Sequence, residues 1–237
     1  KMGGAHAIGA FAYGTKTVPA VDKIVGPGSA YVSAAKAYVA ADCPIDFYAG
    51  PTEIVIVSRN GNPDWIASDL IAQAEHDPEA RAILVTPNRP LATAVRTALT
   101  KQLKEHPAAI PSIDTHGVAI VTETVNEAID LGNAISPEHA VTDTRAMANR
   151  LVKAGTVFVG PYAAQAAGDY ATGSNHVLPT AGVARFRGGL SASDFVRVNS
   201  VQQLNQRGLR RLAPSIISLA HAEGLRAHAS SVARRVV

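Results

Sequence analysis

The 237-residue chain predicts an α/β fold, a mainly parallel sheet with helices on both faces, followed by a helical C-terminal tail. Three observations predict it. Short β-branched runs at 53–57 and 82–86 are almost continuously apolar, as strands buried on both faces must be. Segments with helix start and stop signals separate those runs, and strand–helix alternation argues for parallel pairing. After about residue 190 the strand signals cease and helical ones continue.

The elements follow in order. Residues 5–13 read as a helix ending near Gly14. Residues 21–25 are a short β-type run, followed by Gly26-Pro27-Gly28 and a helix over 29–36. Strand, glycine turn and helix can offer backbone N–H groups to an anion. The spacing is not GxGxxG, so a plain tight turn fits equally well. A turn at 49–52 leads into the buried strand 53–57. Gly61-Asn62-Pro63-Asp64 starts a helix that runs over 65–75, with Pro63 tolerated in its first turn and Pro78 limiting its continuation. A strand at 82–86, a helix at 91–104, a strand at 118–121 and a helix at 125–131 come next. A helix at 143–154 and a strand at 157–159, closed by Gly160-Pro161, complete the alternation. Beyond it, 194–199 and 201–206 are short segments, and 214–236 reads as one or two helices. Active groups in such sheets are expected at the C-terminal ends of the strands.

Composition narrows the function classes. No apolar run reaches the roughly 18 residues of a membrane span. No charged lead and long apolar stretch mark a secretory signal. The single Cys43 rules out an internal disulfide framework, and a reduced, cytoplasmic setting is the simplest expectation. Lys1-Met2-Gly3-Gly4 runs directly into an Ala/Gly-rich segment, the look of a chain cut from within a larger fold. Nine arginines from residue 185 onward face only Asp194 and Glu223. Just Phe186 and Phe195 accompany them, too few aromatics for base stacking, so no nucleic-acid partner is expected. A solvated helical face, or a surface packed on an acidic partner subunit, accounts for the charge.

Four short motifs carry possible chemistry. Gln73 and His76 are three apart, which on a helix puts them on one face, as metal ligands or as surface and capping residues. Gly168-Asp169-Tyr170-Ala171-Thr172-Gly173-Ser174-Asn175-His176 sets a carboxylate and an imidazole in a glycine-rich loop, a functional segment or an Asx-type turn with a solvent-facing histidine. Glu223 and His228 belong to a metal-type signal or to an exposed amphipathic tail. Together Gln73, His76, Asp169 and His228 would make an oxygen and nitrogen ligand set, with the amide its unusual member. Ser136-Pro137-Glu138-His139 places a carboxylate beside an imidazole, suited to proton transfer. It reads equally as a helix N-terminus with His139 just inside.

Resemblance separates these readings. The runs IDFYAGPTEI at 45–54, SDLIAQAEH at 68–76, SPEHA at 136–140, GDYATGSNHVLPT at 168–180 and GLSASDF at 189–195, with Glu223 and His228, resemble histidinol dehydrogenase in the family's order. The chain is similar to the C-terminal part of that family, somewhat more than half, and the family's N-terminal segment has no counterpart here. The resemblance implies two successive NAD-dependent oxidations of L-histidinol to L-histidine through a bound aldehyde, the last step of histidine biosynthesis. It implies one zinc per chain on Gln73, His76, Asp169 and His228, and Glu138 and His139 as the catalytic pair. Substrate contacts would come from Thr52, Gln73, His76, His139, Asp169, His176, Glu223 and His228. Cofactor contacts fall on His6 and Ser29, where the family usually has Gln and Asn.

The resemblance further implies a homodimer in which Glu223 and His228 complete the partner's site. Residues 1–50 would be the remainder of an NAD-binding domain, 51–190 the metal and catalytic α/β domain, and 191–237 a helical dimerisation tail, with the sheets forming incomplete Rossmann-like domains. Two alternatives stay open at this level. One is a superfamily dehydrogenase for another small alcohol, such as a sulfonated diol. The other is a metal-binding fragment without catalysis.

Overall fold

A computed structural model describes residues 1–48 and 50–236. Ala49, where the expected 49–52 turn begins, and Val237, the last residue of the tail, lie outside the described residues. Contacts divide the chain into two units, Lys1–Asp194 and Phe195–Val237.

The first unit opens with two helices, α1 (Gly4–Tyr13) and α2 (Ala30–Val39). They close a small core of Ile8, Ile24, Val39 and Cys43. The alternating part follows: β1 (Glu53–Val57), α3 (Pro63–Ala74), β2 (Arg81–Thr86), α4 (Arg89–Gln102), α5 (Ile110–His116), β3 (Val118–Val121), α6 (Val125–Ile135), β4 (His139–Thr142), α7 (Arg145–Ala148), β5 (Thr156–Val159) and α8 (Ala166–Tyr170). The five strands are all parallel, in the order β3-β2-β1-β4-β5. That order is Rossmann-like, with its switch point between β1 and β4.

Strand β1 is the centre of the sheet and is buried throughout. Successive side chains alternate between faces. Ile54 and Ile56 pack with Ile66 and Leu70 of α3 and Leu91 and Val95 of α4. Val55 and Val57 pack with Ala128 and Ile129 of α6 and with Leu151. Each such aliphatic side chain contributes about 1.5–3 kcal/mol of transfer free energy. Gly132 lets α6 lie close on the sheet, because a Cβ there would meet Leu151 and Val57 side chains at 3.0 and 3.2 Å.

The helix starts follow from capping. Asn62 accepts from the Asp64 and Trp65 amides with Pro63 behind it, and Asn88 accepts from Leu91 N. Helix α6 ends on Ser136, which takes a left-handed conformation at φ 55°. Its hydroxyl donates to Asn133 O at 2.8 Å. This sharp exit and Pro137 deliver Glu138 and His139 to the start of β4.

Four sequence expectations are corrected. The run 21–25 forms no strand; a single parallel bridge joins Ile24 to Ile45. The expected helix 143–154 shrinks to α7. Asn133 holds Arg150 O and Lys153 N with its side chain, and so withdraws those groups from helical bonding. His139 is the first residue of β4, not the first turn of a helix. Helix α5 replaces an expected connection. The other elements predicted ahead of residue 190 lie within a few residues of their expected ends, but α8 forms where a loop is expected at 168–176, and the first tail helix begins at Gln206, ahead of the expected 214.

The second unit holds two helices, α9 (Gln206–Ala222) and α10 (Arg226–Val236). Asn205 caps α9 through Gly208 N at 2.8 Å, and Pro214 lies inside the helix, not at its start. Gly224, at φ 76°, turns the chain between them. Ala213, Ala220 and Ala229 are buried, whereas Arg207, Arg210, Arg211, Arg226, Arg234 and Arg235 are exposed. Among the described residues no helix is long and apolar enough to cross a membrane.

Candidate active site

Strand register builds the site. Ile54 pairs with His139, so Glu53 and Glu138 meet side by side where β1 and β4 begin. Thr52, just ahead of β1, donates its hydroxyl to Glu138 Oε2 and accepts from Gln73 Nε2 at the end of α3. The Glu53 amide adds a second donor to Glu138 Oε2 at 3.3 Å. An amide, a hydroxyl and a carboxylate are thus chained across three elements. This is the N-terminal edge of the parallel sheet, whereas the C-terminal ends are where such sheets are expected to carry active groups. At that opposite edge Asp143 already accepts from Ser58 Oγ, Arg59 N and Asn60 N, at 2.6, 2.6 and 3.1 Å. Backbone donors that could have faced a ligand there are taken by a side chain of the protein itself.

Burial sets the protonation states. Glu138 is pushed up to about 7, mainly because its charge is poorly solvated, with the Thr52 hydroxyl and Glu53 amide pulling the other way. His139 is brought down to about 4 for the same reason, despite the nearby charge of Asp169. The imidazole is therefore neutral across the physiological range. Its Nδ1 stands 3.7 Å from Glu138 Oε2 and has no hydrogen-bond partner among the described residues. Phe158 of β5 lies beside the ring, 6.0 Å between centroids, and keeps water from one side.

Asp169 of α8 is the second focus. Its Oδ1 faces His176 Nδ1 at 3.4 Å, and its Oδ2 faces His76 Nε2 at 3.9 Å. Thr52, His76, Glu138, His139, Asp169 and His176 line one cavity of about 340 Å³, a size suited to a small metabolite. Gly26-Pro27-Gly28 lines it as well. A groove of about 820 Å³ elsewhere on this unit contains no histidine, and its Arg187 and Asp194 are paired to each other.

Donor chemistry here fits a metal. Gln73 is wholly buried, and its Oε1 has no partner among the described residues. An orphaned acceptor of that kind is costly. It sits in the residue whose amide nitrogen binds Thr52, while His76 and Asp169 supply imidazole and carboxylate. Among the described residues no group of three or more His, Cys, Asp or Glu is arranged to hold a metal ion. Within the first unit the expected set offers two such side chains and an amide; His228 lies in the second unit. His76 lies beyond the end of α3, not on its face.

His6 and Ser29 do not line this cavity. His6 is exposed on α1, and Ser29 is exposed at the start of α2, beside the glycine turn, with no side-chain capping bond. Glu223 caps the C-terminus of α9 and His228 lies in the first turn of α10, both exposed.

Four side chains escape a reading of motifs. Buried Lys36 and Asp46 form an ion pair that clamps the glycine turn: Lys36 Nζ donates to Gly26 O and Gly26 N to Asp46 Oδ2, at 2.9 and 2.8 Å. Glu53 is buried, raised by desolvation, and accepts from Gly182 N. Gln165 donates to Asp169 Oδ2 at 3.3 Å. Only this last pair had a sequence signal, its spacing of four residues.

Known proteins share this fold and much of this sequence. The family model "Histidinol dehydrogenase" matches residues 1–236. The chain is 48% identical to histidinol dehydrogenase of Agrobacterium fabrum and 43% identical to that of Methanothermobacter thermautotrophicus, with the whole chain covered in each case. It spans only 56% and 57% of those two relatives' lengths. A crystal structure of histidinol dehydrogenase from Elizabethkingia anophelis superposes with a TM-score of 0.93 at 34% identity, covering all of this chain and 56% of that one. The chain belongs to the histidinol dehydrogenase family.

Proposed function

We propose that the protein containing this chain oxidises L-histidinol to L-histidine in two successive NAD-dependent steps through the aldehyde. The observation that carries the reading is a buried His139 beside Glu138, facing the cavity that Asp169, His76 and His176 also line. Gln73, His76, Asp169 and His228 would hold one zinc ion. Bound there, zinc supplies a Lewis-acid template for the substrate's imidazole and amine.

His139 takes the proton of the alcohol as the carbinol carbon gives up hydride, a task for which its depressed pKa keeps it unprotonated. Glu138 removes a proton from the water that hydrates the aldehyde. Burial lifts its basicity toward neutral pH, where a general base is most effective. Thr52 and the Glu53 amide hold that carboxylate in one orientation. Phe158 and the walls of the cavity limit water around the intermediate. NAD, contacted through His6 and Ser29, would accept hydride in both steps. Residues 1–50 then belong to the cofactor domain, 51–190 to the catalytic domain and 191–237 to a dimerisation tail. In the homodimer, Glu223 and His228 would complete the partner's site, Glu223 as the carboxylate for the substrate's amino group.

The test is reduction of NAD by the full-length protein, with histidinol set against dihydroxypropanesulfonate, together with metal analysis. Turnover of histidinol with about one zinc per chain is expected. Preference for the sulfonated diol, or activity on neither, overturns the reading.

A further inference from the structure

We infer that Gln165 is a positioning residue that fixes the Asp169 carboxylate for metal binding; the inference rests on the zinc reading proposed above. Gln165 is completely buried immediately before α8, four residues ahead of Asp169. Its Nε2 donates to Asp169 Oδ2 at 3.3 Å. The direction of the amide is fixed by chemistry, because a carboxylate oxygen needs a donor and the carbonyl end would repel it. The other end of the amide, Oε1, is buried without a partner among the described residues. An apolar side chain of the same length would avoid that orphan, so packing alone gives no reason for an amide here.

The remaining neighbours of Asp169 show what the bond does. His176 lies on Oδ1 and is largely exposed; His76, on the Oδ2 side, is 44% exposed at its side chain. Neither is held firmly enough to set the carboxylate. Gln165 is held. Its main-chain amide faces the Asp69 carboxyl of α3, and α8 is pressed on the sheet through Gly168, where a Cβ would meet the Phe158 ring at 2.5 Å. The amide thus transmits the fixed frame of α3 and β5 to the one carboxylate expected on the metal. Partners of this kind govern metal affinity almost as strongly as the ligands they orient.

The test is zinc affinity of the full-length protein, read by competition with a chromophoric chelator, for the parent, Gln165→Met, Asp169→Asn and the double variant. Gln165→Met should weaken zinc about 10–100-fold while the thermal midpoint of the chelated protein stays the same or rises. In the Asp169→Asn background the same change should have little further effect on zinc, because the group it orients has gone. If Gln165→Met does not fold, Gln165→Asn keeps the amide but shortens its reach, and the same loss is expected. Unchanged zinc affinity in a folded variant, or equal losses in both backgrounds, overturns the inference and leaves the zinc reading intact. A parent that takes up no zinc overturns both.

Discussion

The two ends of one parallel sheet differ in how completely their polar groups are satisfied. At the C-terminal edge Asp143 accepts three donors from the loop after β1. At the N-terminal edge Gln73 Oε1 and His139 Nδ1 are buried without partners among the described residues, and Glu138 and His139 are displaced from their ordinary pKa values in opposite directions. The first edge is finished by the protein alone. The second is left open, which is expected of a site whose last partners arrive with ligand. Strand polarity by itself points to the other end, where a cavity of about 330 Å³ opens between β1 and β4 but Asp143 already takes the donors of the loop after β1. Incomplete hydrogen bonding is the better guide to this molecule.

That contrast predicts unequal consequences for substitutions at the two edges. His139→Asn in the full-length protein should lower kcat by about 10³-fold or more, with zinc content unchanged because His139 is not an expected ligand. Loss of metal along with activity would refute the separation of roles. Thr52→Val removes the hydroxyl between Gln73 and Glu138 and should cost about 10-fold or more in kcat/KM. It should also move the acidic limb of the pH profile upward, since the Thr52 bond lowers the Glu138 pKa and its loss raises it. A profile that moves downward would contradict the assigned direction. Asp143→Ala, at the finished edge, should cost about 2–3 kcal/mol of stability with kcat within about twofold of the parent at temperatures where both are folded. A selective loss of kcat there would make the C-terminal edge functional and break the comparison.

Much of the fold was legible because burial leaves a simple mark. Strand β1 is read from Ile54-Val55-Ile56-Val57 without ambiguity, since both faces are covered. Strand β4 was missed for a different reason: it begins on a buried histidine, and Ser136-Pro137-Glu138 carries the letters of a helix cap. The left-handed Ser136 that turns the chain into the strand is not a preference any residue type announces. The helix expected over 143–154 was cut short by Asn133, a side chain distant in sequence. In the site, the family pattern named Thr52, Glu138, His139, His76, Asp169 and His176, and these side chains line one cavity. Spacing alone had left them separate. Lys36 and Asp46 carry no motif, and Gln165 only its spacing of four from Asp169, since their roles depend on neighbours that only the fold supplies.

The smallest predicted effect concerns pH, and it sharpens the comparison because burial raises carboxyls at both edges, Glu53 and Glu138 at one and Asp69 at the other. Asp69 lines a cavity at the C-terminal edge together with Asp143, Trp65 and Gly160. Burial pushes its carboxyl up to about 6, against the pull of the Gln165 amide. A carboxyl raised in the folded state favours the neutral form there, so its charge works against folding. The penalty is absent below the unfolded value of 3.8, grows as pH rises, and is complete above about 6. Asp69→Asn should therefore match the parent near pH 4 and be more stable near pH 7.5. The gain is on the order of 1–2 kcal/mol once partial solvent access is allowed for. Urea unfolding of the full-length protein at both pH values measures it. A variant less stable at pH 7.5 would mean that the Asp69 charge meets a partner in the full-length protein. Stabilisation confined to high pH would identify a carboxylate tolerated at a folding cost, retained on the same helix that carries Gln73.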